Sequence, residues 1–157
     1  DLHSFPTRRS SDLSFYQTDL GGFCSPIIIY EPGREPEMQD KIAQQIDILP
    51  TVMGMLNYDK PYFAFGIDLL NTPAEDTWAV NYLNGIYQYV KHEHVLQFDG
   101  QKSIGLYALS DSLMKDNLMS EGRGKKLEVR GQMERELKAI IQQYMERMTE
   151  DRLRIKN

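Results

Sequence analysis

From residue 78 onward the apolar positions of the chain recur with a period of two, which is typical of β-strands. Asn84-Gly85 separates the first two apolar runs and is a strong hairpin signal, because both central residues of such a turn take positive φ. A second short turn at His92-Glu93 follows, and Asp99-Gly100 begins the next connection. The pattern predicts a four-stranded antiparallel meander over 78–83, 86–90, 94–98 and 104–108.

The clearest helical pattern runs from Glu128 to Arg154. Its apolar residues recur at i, i+3, i+4 and i+7 and are Met133, Leu137, Ile140, Ile141, Tyr144, Met148 and Leu153. Glu134 and Lys138 add an i, i+4 pair on the polar side. Such a stripe is also found on membrane-surface and partner-binding helices. Acidic residues are mixed through the polar face and the meander needs a cover, so docking of this helix on the same chain is the favoured interpretation.

An earlier stretch predicts a strand, a loop and a helix. Three isoleucines and a tyrosine (27–30) precede the Pro32-Gly33 breaker without polar alternation, which predicts a strand covered on both faces. Downstream, Ile46, Leu49, Met53 and Leu56 fall at helical spacing. Pro50 is expected within the first turn or two of this helix, or at a kink, because an interior proline removes a donor. Together these elements predict an α/β unit.

Length and composition set the broad class. The chain has 157 residues, 41% of them hydrophobic, which suffices for one domain with a core. A net charge of −5 argues against nucleic acid as a partner. The one cysteine excludes an internal disulfide framework, and no apolar run approaches the ~18–20 residues that a bilayer crossing needs.

Five residues invite a chemical interpretation. Asp47 and Thr51 could serve as metal ligand and nucleophile, but capping and local backbone hydrogen bonds are favoured for both. His92 and His94 form an H-x-H pair without a clearly spaced third ligand, so solvated turn histidines that titrate near neutral pH are favoured over a metal site. Cys24 is expected to be a buried small hydrophobe rather than a reactive thiol.

Aromatic residues cluster between positions 58 and 65, at Tyr58, Tyr62, Phe63 and Phe65. A stacking platform for nucleic-acid bases would have basic residues interleaved, and only Lys60 is near. Packing is therefore the favoured role of this cluster.

The first thirteen residues fit nothing that follows. The stretch DLHSFPTRRSSDL lacks periodicity and an apolar segment, so its arginines do not begin a signal peptide. The string resembles the in-frame translation of a common short-read sequencing adapter. We interpret residues 1–13 as a non-native tail rather than a native polar one, which removes His3 as a candidate ligand and implies that the true N-terminal part is missing.

Four pieces in order carry a family resemblance: PIIIYEPG (26–33), QIDILPTV (45–52), FGIDLL (65–70) and the run LYAL…D…NL (106–118). The series resembles the closing part of the sulfatase-fold catalytic domain in bacterial lipoteichoic acid synthase-like proteins, which belong to the alkaline phosphatase superfamily. The likeness extends from Ser14 to Leu153. It implies an α/β fold, here an α+β fragment: residues 14–76 end the sulfatase-type sheet, and residues 77–157 add the meander and a long amphipathic helix.

The resemblance also implies an activity for a parent protein. Such a parent is anchored in the bacterial cytoplasmic membrane, with its catalytic domain outside, and depends on a divalent metal: manganese, or else magnesium, zinc or calcium. It transfers phosphoglycerol or a related group from a lipid-linked donor, or hydrolyses a sulfate or phosphate ester. In the family, an Asp-His pair precedes the segment that corresponds to Ile27. This chain has no such pair there, because Asp19 is followed by Leu20 and not by a histidine.

No residue of this chain matches a catalytic, cofactor-binding or metal-binding position of the family, and Asp47 and Thr51 correspond to structural residues there. The soluble fragment alone is therefore expected to be inactive, with the missing N-terminal part of the domain as its partner. The rival interpretation is a self-sufficient binding module whose meander presents Trp78, Tyr82, Tyr87 and Tyr89 to a glycan or protein. The face on which the C-terminal helix docks discriminates the two.

Overall fold

A computed structural model describes residues 14–121 and 124–153 of the chain. The longer α-helices of these residues are α1 (Ile48–Met55) and α2 (Lys125–Thr149), and residues 14–16 are also helical. The strands are β1 (Trp78–Leu83), β2 (Ile86–Lys91), β3 (His94–Phe98) and β4 (Ser103–Ala108). Short 3-10 turns occupy Gly21–Phe23, Gln45–Asp47, Ala74–Asp76 and Leu118–Glu121. The class is α+β.

The four strands form the predicted antiparallel meander in the order β1-β2-β3-β4. Strand bounds agree with the sequence pattern to within one residue, because the turns are encoded locally. Asn84 and Gly85 take φ values of 52° and 86° and join β1 to β2 as a two-residue turn. His92 takes φ 50° in the second turn, as a left-handed turn residue.

Helix α2 covers one face of this sheet, which confirms the docking predicted from its stripe. Met133 and Leu137 are buried in one cluster with the strand residues Tyr89, Leu96, Phe98 and Leu106. The helix begins three residues before the predicted position and ends five residues before it. Asp151 is left-handed at φ 50°, and the Arg152 N–H donates to the Arg147 carbonyl at 2.9 Å, a Schellman-type ending. The prediction that Leu153 belongs to the helical stripe is therefore wrong.

The opposite face of the sheet has a second, smaller core. Ala79, Val90 and Val95 are buried there together with Leu20. Partly buried apolar side chains from flanking loops complete this cluster: Ile42, Tyr107, Leu109 and Met114. Both faces of the meander are thus packed, one by α2 and the other by loops that flank the sheet in sequence.

Each edge strand of the sheet is hydrogen-bonded at one point by a side-chain amide. On β1, Gln44 donates its Nε2 to the Trp78 carbonyl at 3.1 Å and accepts the Val80 N–H at 3.2 Å. On β4, Asn117 makes the equivalent pair of bonds with the Ile104 carbonyl and the Leu106 N–H, at 3.4 and 3.3 Å. An amide has the donor and the acceptor of a peptide group, so each one occupies an edge that another strand could join.

The isoleucine segment, Ile27–Tyr30, is not the strand that the sequence predicts. It has no regular secondary structure and pairs with no strand in the described chain, and the exposed fractions of Ile28 and Tyr30 are 87% and 84%. The prediction of a strand covered on both faces is wrong here. The pattern correctly indicates residues that favour burial, and the described part of the chain supplies nothing that buries them.

Helix α1 forms where the sequence predicts it, with Pro50 in its first turn. The side of the helix that is buried is opposite to the predicted apolar stripe. Pro50 and Thr51 face inward together with Asp47, which precedes the helix. The predicted apolar stripe is largely outside, since Ile46, Leu49 and Leu56 are all exposed. The α/β unit predicted for this region is therefore absent from the described residues.

Candidate functional site

The buried pair Asp47 and Thr51 ties the start of α1 to the link that follows the helix. The Asp47 carboxylate accepts the N–H groups of Gln44 and Ile67, each at 2.9 Å. The Thr51 hydroxyl donates to the Asp47 carbonyl at 2.7 Å and accepts the Leu69 N–H at 3.0 Å. Both side chains thus perform the capping and backbone-bonding role that the sequence favoured.

The electrostatics of this pair fit a structural role. Burial raises the pKa of the Asp47 carboxyl, and the hydrogen bonds from the backbone of Ile67 and Gln44 oppose that rise. Asp47 is fully buried, with both carboxylate oxygens engaged by backbone N–H groups. At Gly66, a Cβ would collide with the carbonyl of Ile46, so the link passes too close to the helix start for a side chain.

The two histidines lie in different local structures, His92 in a turn and His94 in a strand. His92 lies in the turn, where its left-handed backbone breaks the alternation that would direct both side chains to one face. His94 is the first residue of β3 and half-buried, so the prediction of a solvated turn histidine is wrong for it. Burial lowers the pKa of His94; the charges of His92 and Lys126 act in the same direction, and Glu93 opposes them.

Cys24 is exposed, so the prediction of a buried thiol is wrong. It follows the Gly21–Phe23 turn, where the chain enters the isoleucine segment, and that segment is not covered. Its Sγ donates weakly to the Leu20 carbonyl at 3.6 Å.

Most of the aromatic residues pack within the chain. Trp78 and Tyr87 lie against the cluster under α2, and Tyr89 is buried in it, whereas Tyr82 is exposed at the hairpin end. In the earlier cluster, Phe65 contacts Tyr144 of α2 with ring centroids 5.2 Å apart.

The Arg147 guanidinium lies 4.6 Å from the centre of the Phe63 ring. Phe63 and Phe65 therefore have the packing role that the sequence favoured, and they hold the 58–70 link against the C-terminal half of α2.

Two glutamates fasten α2 to the sheet. Glu136 accepts the Tyr89 hydroxyl at 2.9 Å and the Lys91 ammonium at 3.0 Å. Glu134 accepts the Ser103 hydroxyl at 2.5 Å and also forms the predicted pair with Lys138 at 2.6 Å.

The pKa values of the ionisable groups at this interface are shifted: those of the two glutamates are lowered and that of Tyr89 is raised. Burial raises the pKa of Glu136, but hydrogen bonds from Gln132, Lys91 and Tyr89 outweigh it, so the net pKa is lowered. The pKa of Tyr89 is raised by its burial and by Glu136. Hydrogen bonds from Lys138 and Ser103 lower the pKa of Glu134. These groups hold α2 against the sheet.

The described residues do not offer the ligand set that a catalytic divalent metal needs. No group of three or more histidine, cysteine, aspartate or glutamate side chains is placed to hold an ion within 14–121 and 124–153. In the same ranges, no helix is both long and apolar enough to cross a membrane.

The sequence predicts that such a fragment alone leaves apolar surface exposed, and the structure locates an uncovered apolar surface in two parts. One part is the isoleucine segment, in which Ile27 and Ile29 are also exposed. The other is the outer face of α1, formed by Ile46, Ile48, Leu49, Val52 and Leu56. Soluble monomers rarely leave extended apolar stretches open, and such surfaces mark interaction sites. This surface is the candidate functional site of the chain.

Comparison with protein-family models, with curated proteins and with solved structures finds no match to this chain.

Proposed function

We propose that this chain is the C-terminal part of a sulfatase-fold catalytic domain, in which the remaining part of the domain covers the isoleucine segment and the outer face of α1. The parent is a membrane-anchored, metal-dependent enzyme of the bacterial envelope that transfers phosphoglycerol or a similar group, or hydrolyses a sulfate or phosphate ester. Its nucleophile and metal ligands belong to that remaining part. The 157 residues themselves serve as scaffold.

The observation that carries the proposal is that the isoleucine segment is exposed and unpaired in the described residues. Ile27–Tyr30 has the sequence of a buried strand, yet its side chains are exposed and it has no strand partner in the ranges the structure describes. Burying one isoleucine side chain stabilises a protein by about 1.5–3 kcal/mol, so three of them in a row represent a large unmet driving force. A sheet contributed by the rest of a domain would satisfy both the side chains and the backbone.

The ordered motifs support the same proposal from the sequence side. The predicted features that the resemblance assigns to residues 77–157, a meander and a long helix, are the ones the fold contains. The rival, a binding module that presents meander aromatics, has less support because Trp78, Tyr87 and Tyr89 pack with the core beneath α2.

A direct test compares this chain with the longer protein encoded by the genomic reading frame. The frame upstream of Ser14 is sequenced, the longer protein is purified, and both are assayed with p-nitrophenyl phosphate and p-nitrophenyl sulfate, with and without Mn²⁺. We expect an Asp-His pair in the new sequence and Mn²⁺-dependent turnover by the longer protein only. Turnover by the 157-residue chain, or a longer frame that lacks the pair, would contradict the proposal.

A matched pair of variants tests the covered segment within the longer protein. Ile28 and Met38 are both strongly exposed in this chain, at 87% and 96%. The proposal predicts that Ile28→Asp destabilises the longer protein by at least the ~1.5–3 kcal/mol of lost burial, whereas Met38→Asp changes its stability little. Equal effects of the two substitutions on thermal unfolding would show that the isoleucine segment is not covered.

A further inference from the structure

His94 lies at one end of the interface between the sheet and α2. It begins β3, and by strand alternation it shares with Leu96 and Phe98 the face of the sheet that α2 covers. Its side chain is half-buried there. The contact between helix and sheet therefore includes a side chain that can gain a proton between pH 5 and 8.

The neighbouring strands bring a cation to His94. Its Cα partners are Lys91 on β2 and Ala108 on β4. The Lys91 ammonium lies 3.0 Å from the Glu136 carboxylate, in an ion pair that joins β2 to α2. Ala108 carries no charge, so the strand positions beside His94 offer a proton on its imidazole no carboxylate.

Burial lowers the pKa of His94, and the charges of the adjacent turn and of α2 modify it. In the β2–β3 turn, Glu93 favours the protonated imidazole and His92 disfavours it. In the first turn of α2, Lys126 also disfavours the proton, and Arg130 follows one helical turn later. The positive end of the helix dipole lies at this end of α2 as well. A proton on His94 is therefore placed in a half-buried position beside like charges.

The first turns of α2 are weakly held. Gly124 precedes the helix without a side-chain cap, and Leu127 is 47% exposed. Val129 is only partly buried, whereas Met133 and Leu137, the helix residues buried in the cluster under α2, lie farther along. The two glutamates that fasten α2 to the sheet are also in this middle part. The first turns can therefore open while the rest of the helix stays docked.

We propose that protonation of His94 releases the first two turns of α2 from the sheet. Opening of this part of the helix gives the imidazole access to water and separates it from Lys126, so the open state binds a proton more tightly than the docked state. Acid therefore shifts the population towards the open state. This acid-sensitive contact is independent of the enzymatic function proposed above.

The test is amide hydrogen exchange of the 157-residue chain at pH 7.5 and 5.5, one unit on either side of the ordinary histidine pKa of about 6.5. Protection is expressed relative to the intrinsic exchange rate at each pH. At pH 7.5, amides 129–132 should be less protected than amides 137–141, because they exchange through local opening. Between the two pH values, protection of amides 129–132 should fall by up to about ten-fold, the limit for a histidine with an ordinary pKa in the open state.

Two variants and a titration identify the group responsible. His94→Gln removes the proton-binding group and should abolish the fall at amides 129–132. His92→Gln is the matched control, because His92 is exposed in the adjacent turn, and it should retain the fall. NMR titration of the His94 imidazole in the unmodified chain needs no variant, and its pKa should lie below the ordinary value of 6.5.

Five results would overturn the proposal. Equal protection of amides 129–132 and 137–141 at pH 7.5 would mean that the helix opens only as a whole. Unchanged protection of amides 129–132 between the two pH values, or an equal fall in His94→Gln, would separate the opening from His94. Loss of the fall in His92→Gln would assign the effect to the other histidine. A pKa of the His94 imidazole at or above 6.5 would remove the driving force.

Discussion

The meander unit, formed by β1–β4 and α2, and the region between residues 26 and 62 differ in how they deal with apolar surface. In the meander unit both sheet faces are packed, and an amide engages one N–H and one carbonyl on each edge. In the earlier region the isoleucine segment and the outer face of α1 remain open. The two regions have comparably apolar sequences, so the difference lies in available partners. A local sequence pattern predicts which residues favour burial, but tertiary contacts determine whether those residues are buried.

The largest difference in stability is expected between substitutions of two leucines, one from each region. Leu137 is fully buried under the sheet, whereas Leu56 after α1 is 70% exposed. Leu137→Ala should cost about 2–5 kcal/mol of unfolding free energy and Leu56→Ala less than ~0.5 kcal/mol. Urea unfolding followed by the fluorescence of the single tryptophan, Trp78, measures both. Similar losses for the two variants would contradict the contrast between covered and uncovered surface.

The next largest effect on stability is expected at Asp47, the buried residue that fastens the start of α1. Asp47→Ala leaves the N–H groups of Gln44 and Ile67 without acceptors, which should cost about 2–4 kcal/mol. Asp47→Asn retains one acceptor and should fall between the alanine variant and the unmodified chain. Circular dichroism and urea unfolding provide the measurement. A neutral Asp47→Ala would mean that the carboxylate has a role other than fastening the backbone.

A smaller effect is expected at the sheet edges. Gln44→Ala removes two hydrogen bonds to the edge of β1, and Asn117→Ala removes two to the edge of β4 and a third from the Met119 N–H. Either should cost about 1 kcal/mol or more. Each should also free an edge for association, visible as concentration-dependent mass in light scattering. Gln101→Ala, in an exposed connection, is the matched control. Unchanged mass and stability in both edge variants would show that the amides do not protect the edges.

The smallest effect is the pH dependence that His94 imposes. Because burial lowers its pKa in the folded chain below the ordinary value of 6.5, the unfolded chain binds the proton first as the pH falls. Stability should therefore be constant well above 6.5 and decrease below it until the folded-state pKa is reached. Urea unfolding at pH 7.5, 6.5 and 5.5, values chosen around that pKa, measures the decline.

His94→Gln should reduce this decline in stability between pH 7.5 and 5.5. Glu134 and Glu136, whose lowered pKa values contribute stability that is lost as the pH falls through about 4.5 and lower, act outside this window. The same slope between pH 7.5 and 5.5 in His94→Gln and the unmodified chain would exclude His94 as its source.

Much of the meander unit could be predicted from sequence because its signals are local. Asn84-Gly85 fixes the first hairpin through positive φ at both residues, and the alternation on either side fixes which face is buried. The stripe through Met133 and Leu137 likewise predicts the side of α2 that packs. These features depend on neighbours two to four residues apart, which the sequence displays directly.

The remaining features depend on contacts distant in sequence. Gln44 closes β1 from more than thirty residues away, and nothing in its neighbours indicates that role. On α1 the apolar spacing predicts the wrong inner face, because Asp47 and Thr51 bind the backbone of the 66–69 link and hold that side inward.

Amide hydrogen exchange of the 157-residue chain tests the central claim most directly, because it compares covered and uncovered backbone in one experiment. The account predicts strong protection at Tyr89 and Leu96, in the middle of the sheet, and almost none at Ile28, Ile29 and Tyr30. Protection of the isoleucine segment equal to that of β2 and β3 would contradict it, because that segment would then already have a partner in this chain.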